Sequence, residues 1–365
     1  MRYFDHNATA PVAPEALEAM VRAASEAFGN PSSIHMHGQR ARQEVEAARA
    51  AVAALLGCAP KEVVFTSGGT EADNLAVLGA PEGHVVTSAI EHPAVLEAAR
   101  KRNATFVRCG GDGRVDPDEI RRALRPDTVL ISVMHANNET GVLQPIEEIA
   151  AIARESGALL HSDGVQVAGR MNLDVRALGV DLYTVSGHKF GAPKGVGALF
   201  VRDGVKLEPR QFGGRHERER RAGTENVPGI AALGAAARLP RPETAPLRDR
   251  FEALVRERIP DITIHGASAP RVLNTSNIAF HGVEAEALVI ALDLAGFAVS
   301  TGAACSSGAT RPSHVLEAMG MPPAVSRASI RFSLGRGNTM EDIEALVEAL
   351  ERAVARLRKL SPAYA

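Results

Sequence analysis

The chain has 365 residues, with 41 basic against 43 acidic side chains and a formal charge of −2, so no overall field draws it to nucleic acid or an anionic membrane. Its 45% hydrophobic and 23% charged content is that of a globular protein, long enough for one large and one small domain. Without an 18-residue apolar run or an apolar leader after Met1, no membrane span or secretory signal is expected. Three scattered cysteines (Cys58, Cys109, Cys305) argue for a reducing cytoplasm over a disulfide framework.

In chain order, His35 and His37 form a lone His-x-His without further ligands nearby, which reads as an ordinary loop and not as a metal site. Gln39 to Leu56 places Val45, Ala48, Val52 and Leu55 at helical spacing and stops at Gly57. Val63 to Thr66 reads as a strand, followed by Ser67-Gly68-Gly69-Thr70-Glu71 and a helix from about Ala72. Strand-like runs recur at Val85–Thr87, Thr105–Val107, Val129–Val133 and Ala158–His161, with helical patterns between most of them. Such alternation predicts an α/β fold with a mostly parallel sheet and ligands at the strand ends. A short apolar strand opening at Asp181 and breaking at Ser186-Gly187 is followed by a Gly/Pro-rich turn and a second apolar strand from Val196 to Val201. Three prolines between Pro240 and Pro246 mark a linker, and a long final helix is expected from Met340 to about Leu360.

The loops after these strands carry the chemistry. Ser67 to Thr70 precede a helix, where free N–H groups favour a phosphate, although such a turn needs glycine in any case. His92, in Ile90-Glu91-His92-Pro93, stands at a helix start as either a cap or a reacting group. His135 to Gly141 is a polar turn or a site loop. Asp163 follows the apolar run Ala158-Leu159-Leu160, so its carboxylate needs a cationic or donor partner; a protonated pyridine nitrogen or an arginine would serve. Ser186-Gly187-His188-Lys189 ends a strand with an amine beside two hydrogen-bonding side chains. That suits either a Schiff-base lysine or a surface hairpin.

Taken together, Gly29-Asn30-Pro31-Ser32-Ser33, Ser67-Gly68-Gly69-Thr70-Glu71, Glu91-His92-Pro93, Asn137-Asn138-Glu139, Asp163-Gly164-Val165-Gln166, Ser186-Gly187-His188-Lys189, Arg221-Ala222-Gly223-Thr224 and Arg331-Phe332-Ser333-Leu334-Gly335 occur in an order that resembles the cysteine desulfurases. These are pyridoxal-phosphate enzymes of the class V aminotransferase superfamily. The resemblance runs from Tyr3 to Ser361. It implies a fold-type I architecture: a large domain over 15–245 with a seven-stranded sheet, and a smaller α+β domain formed by 1–14 and 246–365.

Residue by residue, the resemblance implies that Lys189 binds the cofactor covalently and that Asp163 faces its ring nitrogen. Gln166 would bond its phenolic oxygen, and His92 would stack on the ring and carry protons. Gly69, Thr70, Ser186 and His188 would hold the phosphate. Thr224 would do so from the other subunit of a homodimer. Arg331, with Asn138, would bind the carboxylate of L-cysteine. Cys305, in the small-residue run from Val299 to Gly308, matches the thiol that takes the substrate sulfur, and its spacing to Arg311-Pro312-Ser313-His314 looks like the long-loop group. Cys58 and Cys109, after apolar segments, read as inert fillers. A sulfur-acceptor protein, such as an iron–sulfur scaffold, is the implied partner.

Some positions depart from the pattern. Gly164 stands where alanine is usual, expected to be a small change, and Arg215 replaces a third glycine. The 226–248 segment is shortened and the chain ends early, which leaves the acceptor open. The charged run Arg215 to Arg221 reads as a dimer-interface or solvated segment and not as an RNA site, because glutamates interleave its arginines.

Overall fold

The computed structural model describes residues 1–301 and 312–360, so Cys305 lies outside the described residues. After β1 (Arg2–Tyr3) the central sheet is built from β2 (Val63–Thr66), β3 (His84–Ser88), β4 (Asn103–Val107), β5 (Thr128–Ser132), β6 (Leu159–Asp163), β7 (Leu182–Ser186) and β8 (Gly197–Val201). Their order is β2-β8-β7-β6-β5-β3-β4. β8 runs antiparallel to β2 and β7, and the other pairings are parallel. The expected α/β class and mostly parallel seven-stranded sheet are therefore present.

Continuous apolar runs make these strands because both faces are covered and successive side chains point to opposite faces. Val63 and Phe65 pack into one core, while Val64 packs into another. Ile131, Tyr183 and Phe200 follow the first pair, and Leu130, Leu182 and Leu199 follow the second. Among the described residues no helix is long and apolar enough to cross a membrane.

A smaller antiparallel sheet follows, of β9 (Ile262–Ile264), β10 (Thr275–Phe280) and, beyond β11 (Phe297–Ala298), β12 (Ser329–Ser333), in the order β12-β10-β9. Its core gathers Phe251 and Phe280 around Phe332, with Phe4 against Phe297. The helix Met340–Leu360 covers it with Ile343, Leu346, Val347, Leu350 and Val354, the spacing of one buried helical stripe. β1 pairs in parallel with β11, Asp5 bridges Ser333 of β12, and the Asn7 and Ala8 carbonyls receive Lys189 after β7, so residues 2–9 run as a strap from the small sheet to the large one.

Two local readings change. The helix after β2 spans Gly69–Gly79 and so starts three residues before Ala72. Glu71 accepts a hydrogen bond from Ser67 N at 2.8 Å, satisfying a donor just ahead of the helix. The charged run is not solvated throughout. Glu217 is buried against Arg49, with two bonds of 2.8 Å, and accepts from Phe65 N at 2.9 Å. That pair holds Glu217, Arg218 and Glu219 at φ of 45°, 56° and 66°, a left-handed backbone that non-glycine residues adopt only when held.

Candidate active site

The carboxyl ends of β2, β6 and β7, and the segments after β3 and β5, converge on one cavity of about 310 Å³. Gly69, Thr70, His92, Asn138, Asp163, Gln166, Ser186, His188, Lys189 and Arg331 all line it. Thr224 is exposed and is not among the lining residues. A larger groove of about 710 Å³ lies at the other strand ends, lined by Lys61, Arg176, Arg202 and the acids they pair with, and holds none of these residues.

Lys189 follows β7 in a single 3-10 turn and donates from Nζ to the carbonyls of Asn7 and Ala8, at 2.6 and 2.9 Å. Asp163 ends β6 almost wholly buried, with Val165 N donating to its Oδ1 at 2.9 Å. Burial pushes its carboxyl up to about 6, against the opposing pull of that N–H and of Lys189. Asp73, on the helix Gly69–Gly79 after β2, is pushed well above its ordinary value by burial and then by Asp163, and its Oδ1 has no hydrogen-bond partner. With two buried carboxyls in mutual repulsion, Asp73 keeps its proton and Asp163 is the one left to ionise.

His92 caps the helix Pro93–Ala99: its Nδ1 accepts from Ala94 N at 3.2 Å. Burial, then Lys189, then His314 push its imidazole down to about 4. Near neutral pH the ring is uncharged, and because Nδ1 accepts, its proton sits on Nε2. His188 is likewise pushed down to about 4, by burial and then Lys189.

Arg331 projects from β12 and is 3% exposed. Its fork donates to Asp5 Oδ1 at 2.7 Å and to the Asn138 carbonyl at 3.0 Å, while its Nε is buried without a partner. Two described residues, Ser300 and Ser313, are tied to this rim. Ser300 exchanges backbone bonds with Arg331, and Ser313 donates to the buried Glu139 at 2.5 Å. The Cys58 and Cys109 thiols are pushed up to about 12 and about 11 by burial, which suits inert fillers.

Gly164 is more than a small change. A Cβ there would sit 1.9 Å from two ring carbons of Tyr183, whose hydroxyl is bonded to His135 Nδ1 at 2.9 Å. The fully buried tyrosine fills the space an alanine methyl would need.

Sequence reasoning missed Asp5, Asn7, Asp73 and Arg170. The polar run Asp5-His6-Asn7 straight after Tyr3-Phe4 was the available signal for the first two. Glu91 was quoted only as a neighbour of His92. It is fully enclosed, taking bonds at Oε1 from Ser88 Oγ and Met134 N at 2.5 and 2.9 Å, with Oε2 unpartnered. Burial pushes its carboxyl from 4.5 to about 8. The folded value exceeds the unfolded one, so Glu91's stabilisation is complete below about pH 4.5 and is lost as pH rises through about 8. Glu91→Gln keeps the shape and cannot ionise. Its melting temperature should match wild type in acid and exceed it in alkali, by a stability difference on the order of 5 kcal/mol. Parallel melting curves across that range would rule out the buried-acid assignment.

The class-V aminotransferase family matches residues 2–346. A cysteine desulfurase of Trichormus azollae is 45% identical over 99% of this chain and 94% of its own length. Among solved structures, a NifS-like protein from Rickettsia africae superposes with a TM-score of 0.89 at 34% identity, covering 97% of this chain and 99% of that one. SspA in complex with cysteine gives 0.84 at 33%, covering 93% and 100%. With a match over nearly its whole length and the same fold-type I architecture, the chain belongs to the class-V aminotransferase family.

Proposed function

We propose that the chain is a pyridoxal-phosphate-dependent cysteine desulfurase, converting L-cysteine to L-alanine and leaving the sulfur as a persulfide on Cys305. The observation that carries this reading is the meeting of Lys189, Asp163 and Arg331 in one cavity; the named relatives supply the substrate.

The residues fit the cofactor. Asp163 is a buried carboxyl in need of a cation, which a protonated pyridine nitrogen provides. Gly69 and Thr70 open an 11-residue helix, whose free N–H groups, with Ser186 and His188, suit a phosphate. When bound, the group supplies an aldehyde for amines and an electron sink for the substrate's α-carbon.

Arg331, which lines the cavity with its fork oriented by Asp5 and Asn138, takes the substrate carboxylate. Lys189 Nζ moves the α-proton, with His92 Nε2 as a second carrier that is uncharged near neutral pH. Cys305 thiolate attacks the substrate sulfur. An S–S bond forms, the Cβ–S bond breaks, and its electron pair stays with the carbon skeleton, which takes up a proton to become alanine. An acceptor protein then collects the persulfide sulfur.

Residues 15–245 serve as the cofactor-binding unit, and 1–14 with 246–365 as the unit bearing Cys305. The exposed Thr224 acts on the phosphate of a second copy, as a homodimer requires. Exposed Leu17, Val21, Phe28 and Met36 support an apolar contact between copies. The reducing cytoplasm is the setting that keeps Cys305 usable.

The test is direct. Protein reconstituted with pyridoxal phosphate and given L-cysteine and a reductant should release alanine and sulfide in equal amounts. A keto acid in place of alanine, or no product, would overturn the reading. Within it, Arg331→Ala should lower kcat/KM by roughly 30- to 150-fold, the effect of losing a charged contact of about 2–3 kcal/mol. Cofactor absorbance should survive; its collapse would make Arg331 a structural residue.

A further inference from the structure

Arg170 lies in the turn after β6, is 6% exposed, and is bonded among the described residues to neutral oxygens alone. One terminal nitrogen donates to Gln166 Oε1 at 2.6 Å and to Asn7 Oδ1 at 2.7 Å. The other donates to the His6 carbonyl at 2.8 Å and to the Lys189 carbonyl at 3.3 Å. A buried guanidinium without a carboxylate is unfavourable on its own. Burial and then Arg331 push this one down to about 9. Its position needs a compensating role.

An arginine can only donate, and a carboxamide has one accepting end and one donating end. Arg170 therefore fixes which end of Gln166 faces which way. Oε1 is taken by the guanidinium, and Nε2 is left on the cavity side, 3.2 Å from the Asn7 carbonyl that also receives Lys189 Nζ. The reverse orientation would set donor against donor. The same guanidinium ties the strap residues His6 and Asn7 to the Lys189 turn, so one side chain holds Gln166, the strap and the amine in register.

We propose that Arg170 is a positioning residue that holds Gln166 as a hydrogen-bond donor toward the cofactor's phenolic oxygen. The inference rests on the reading of Lys189 as the cofactor-binding lysine. A donor at that oxygen stabilises it as an anion and weakens its hold on the proton shared with the Lys189 linkage. Losing the donor raises the pH at which the chromophore gives up that proton. The charged or chargeable groups near Arg170 are Arg331, Lys189, His6 and His188, and none of them is altered in the test.

The experiment is a spectral pH titration of the pyridoxal-phosphate-loaded protein, without substrate. Arg170→Met should raise the midpoint by about one pH unit, a tenfold change in proton affinity. Arg170→Lys, which can still donate to Oε1, should stay near wild type. In a Gln166→Ala background, Arg170→Met should add almost nothing, since the two act as one unit. An unmoved midpoint in Arg170→Met overturns the proposal. So does an equal shift in both backgrounds, which would be the direct effect of removing a charge. Should Arg170→Met fail to fold, Gln166→Glu decides. Its carboxylate would pair with Arg170 and offer the cavity no donor, so its midpoint must rise at least to that of Gln166→Ala; a midpoint at the wild-type value overturns the proposal. A wild-type chain that takes up no pyridoxal phosphate overturns the functional reading and this inference together.

Discussion

Lys189→Ala should leave a folded protein that no longer fixes pyridoxal phosphate covalently on borohydride reduction, with desulfuration reduced by at least about 10⁴-fold, the upper range for one positioned acid–base group. The expectation follows from where the amine sits. Nζ is held against the carbonyls of Asn7 and Ala8 at the cavity wall, at the end of a strand whose five residues are all buried. Its neighbours have electrostatics suited to proton transfer, since Asp163 is left to ionise while His92 and His188 are kept uncharged beside it. Truncation to alanine removes both the proposed attachment point and the proposed proton carrier, while the strand and the cavity wall stay. His92 can pass protons but cannot replace the covalent link, so little activity should remain. Peptide mapping after reduction checks the assignment, and a reducible adduct persisting on another residue in the variant would refute it.

Cys305→Ser should be as severe for product and nearly silent for structure. Exchanging sulfur for oxygen barely alters volume, so folding and cofactor absorbance should match wild type. In the proposed mechanism Lys189, Asp163 and Arg331 act before sulfur moves, so L-cysteine should still perturb the chromophore. The reaction should then stop, because a serine hydroxyl is protonated near neutral pH and is a poor nucleophile toward sulfur. Mass spectrometry of the wild type after L-cysteine should find a gain of about 32 Da, one sulfur atom, on the peptide with Cys305 and on neither Cys58 nor Cys109. The latter two thiols, pushed far above neutrality, hold little thiolate. Alanine release from the serine variant at the wild-type rate would show that Cys305 is not the acceptor.

Much of the central sheet was readable because strands covered on both faces must be apolar along their whole length. A polar residue at the end of such a run, as at Asp163 or Ser186, then stands out. The cavity-lining residues after β2, β3, β5, β6 and β7 were legible for this local reason. Arg170 was not, because nothing in Val167-Ala168-Gly169-Arg170 announces that its guanidinium will meet a strap some 160 positions earlier; its bond to Asn7 spans 163 residues. The fit between Gly164 and Tyr183 was hidden likewise, since only the parallel pairing of β6 with β7 brings them together. The early start of the helix at Gly69 was masked by reading glycine as a turn. In place, that glycine permits a close approach, with Val165 Cγ2 only 3.1 Å from where a Cβ would stand.

The strap of residues 2–9 also bears on the order in which the molecule can be completed. Asn7 N donates to Ser333 Oγ across 326 positions, and Asp5 meets Arg331 across the same separation. Both contacts have to wait until a ribosome has made and released β12, nearly the whole chain later, whereas β2 to β8 can pair among themselves long before. Until then the Lys189 amine lacks its Asn7 and Ala8 carbonyls in their final place, and Arg170 lacks two of its five acceptors. The large sheet is thus ready as a scaffold well ahead of its own reactive centre, which closes as one of the last steps of folding.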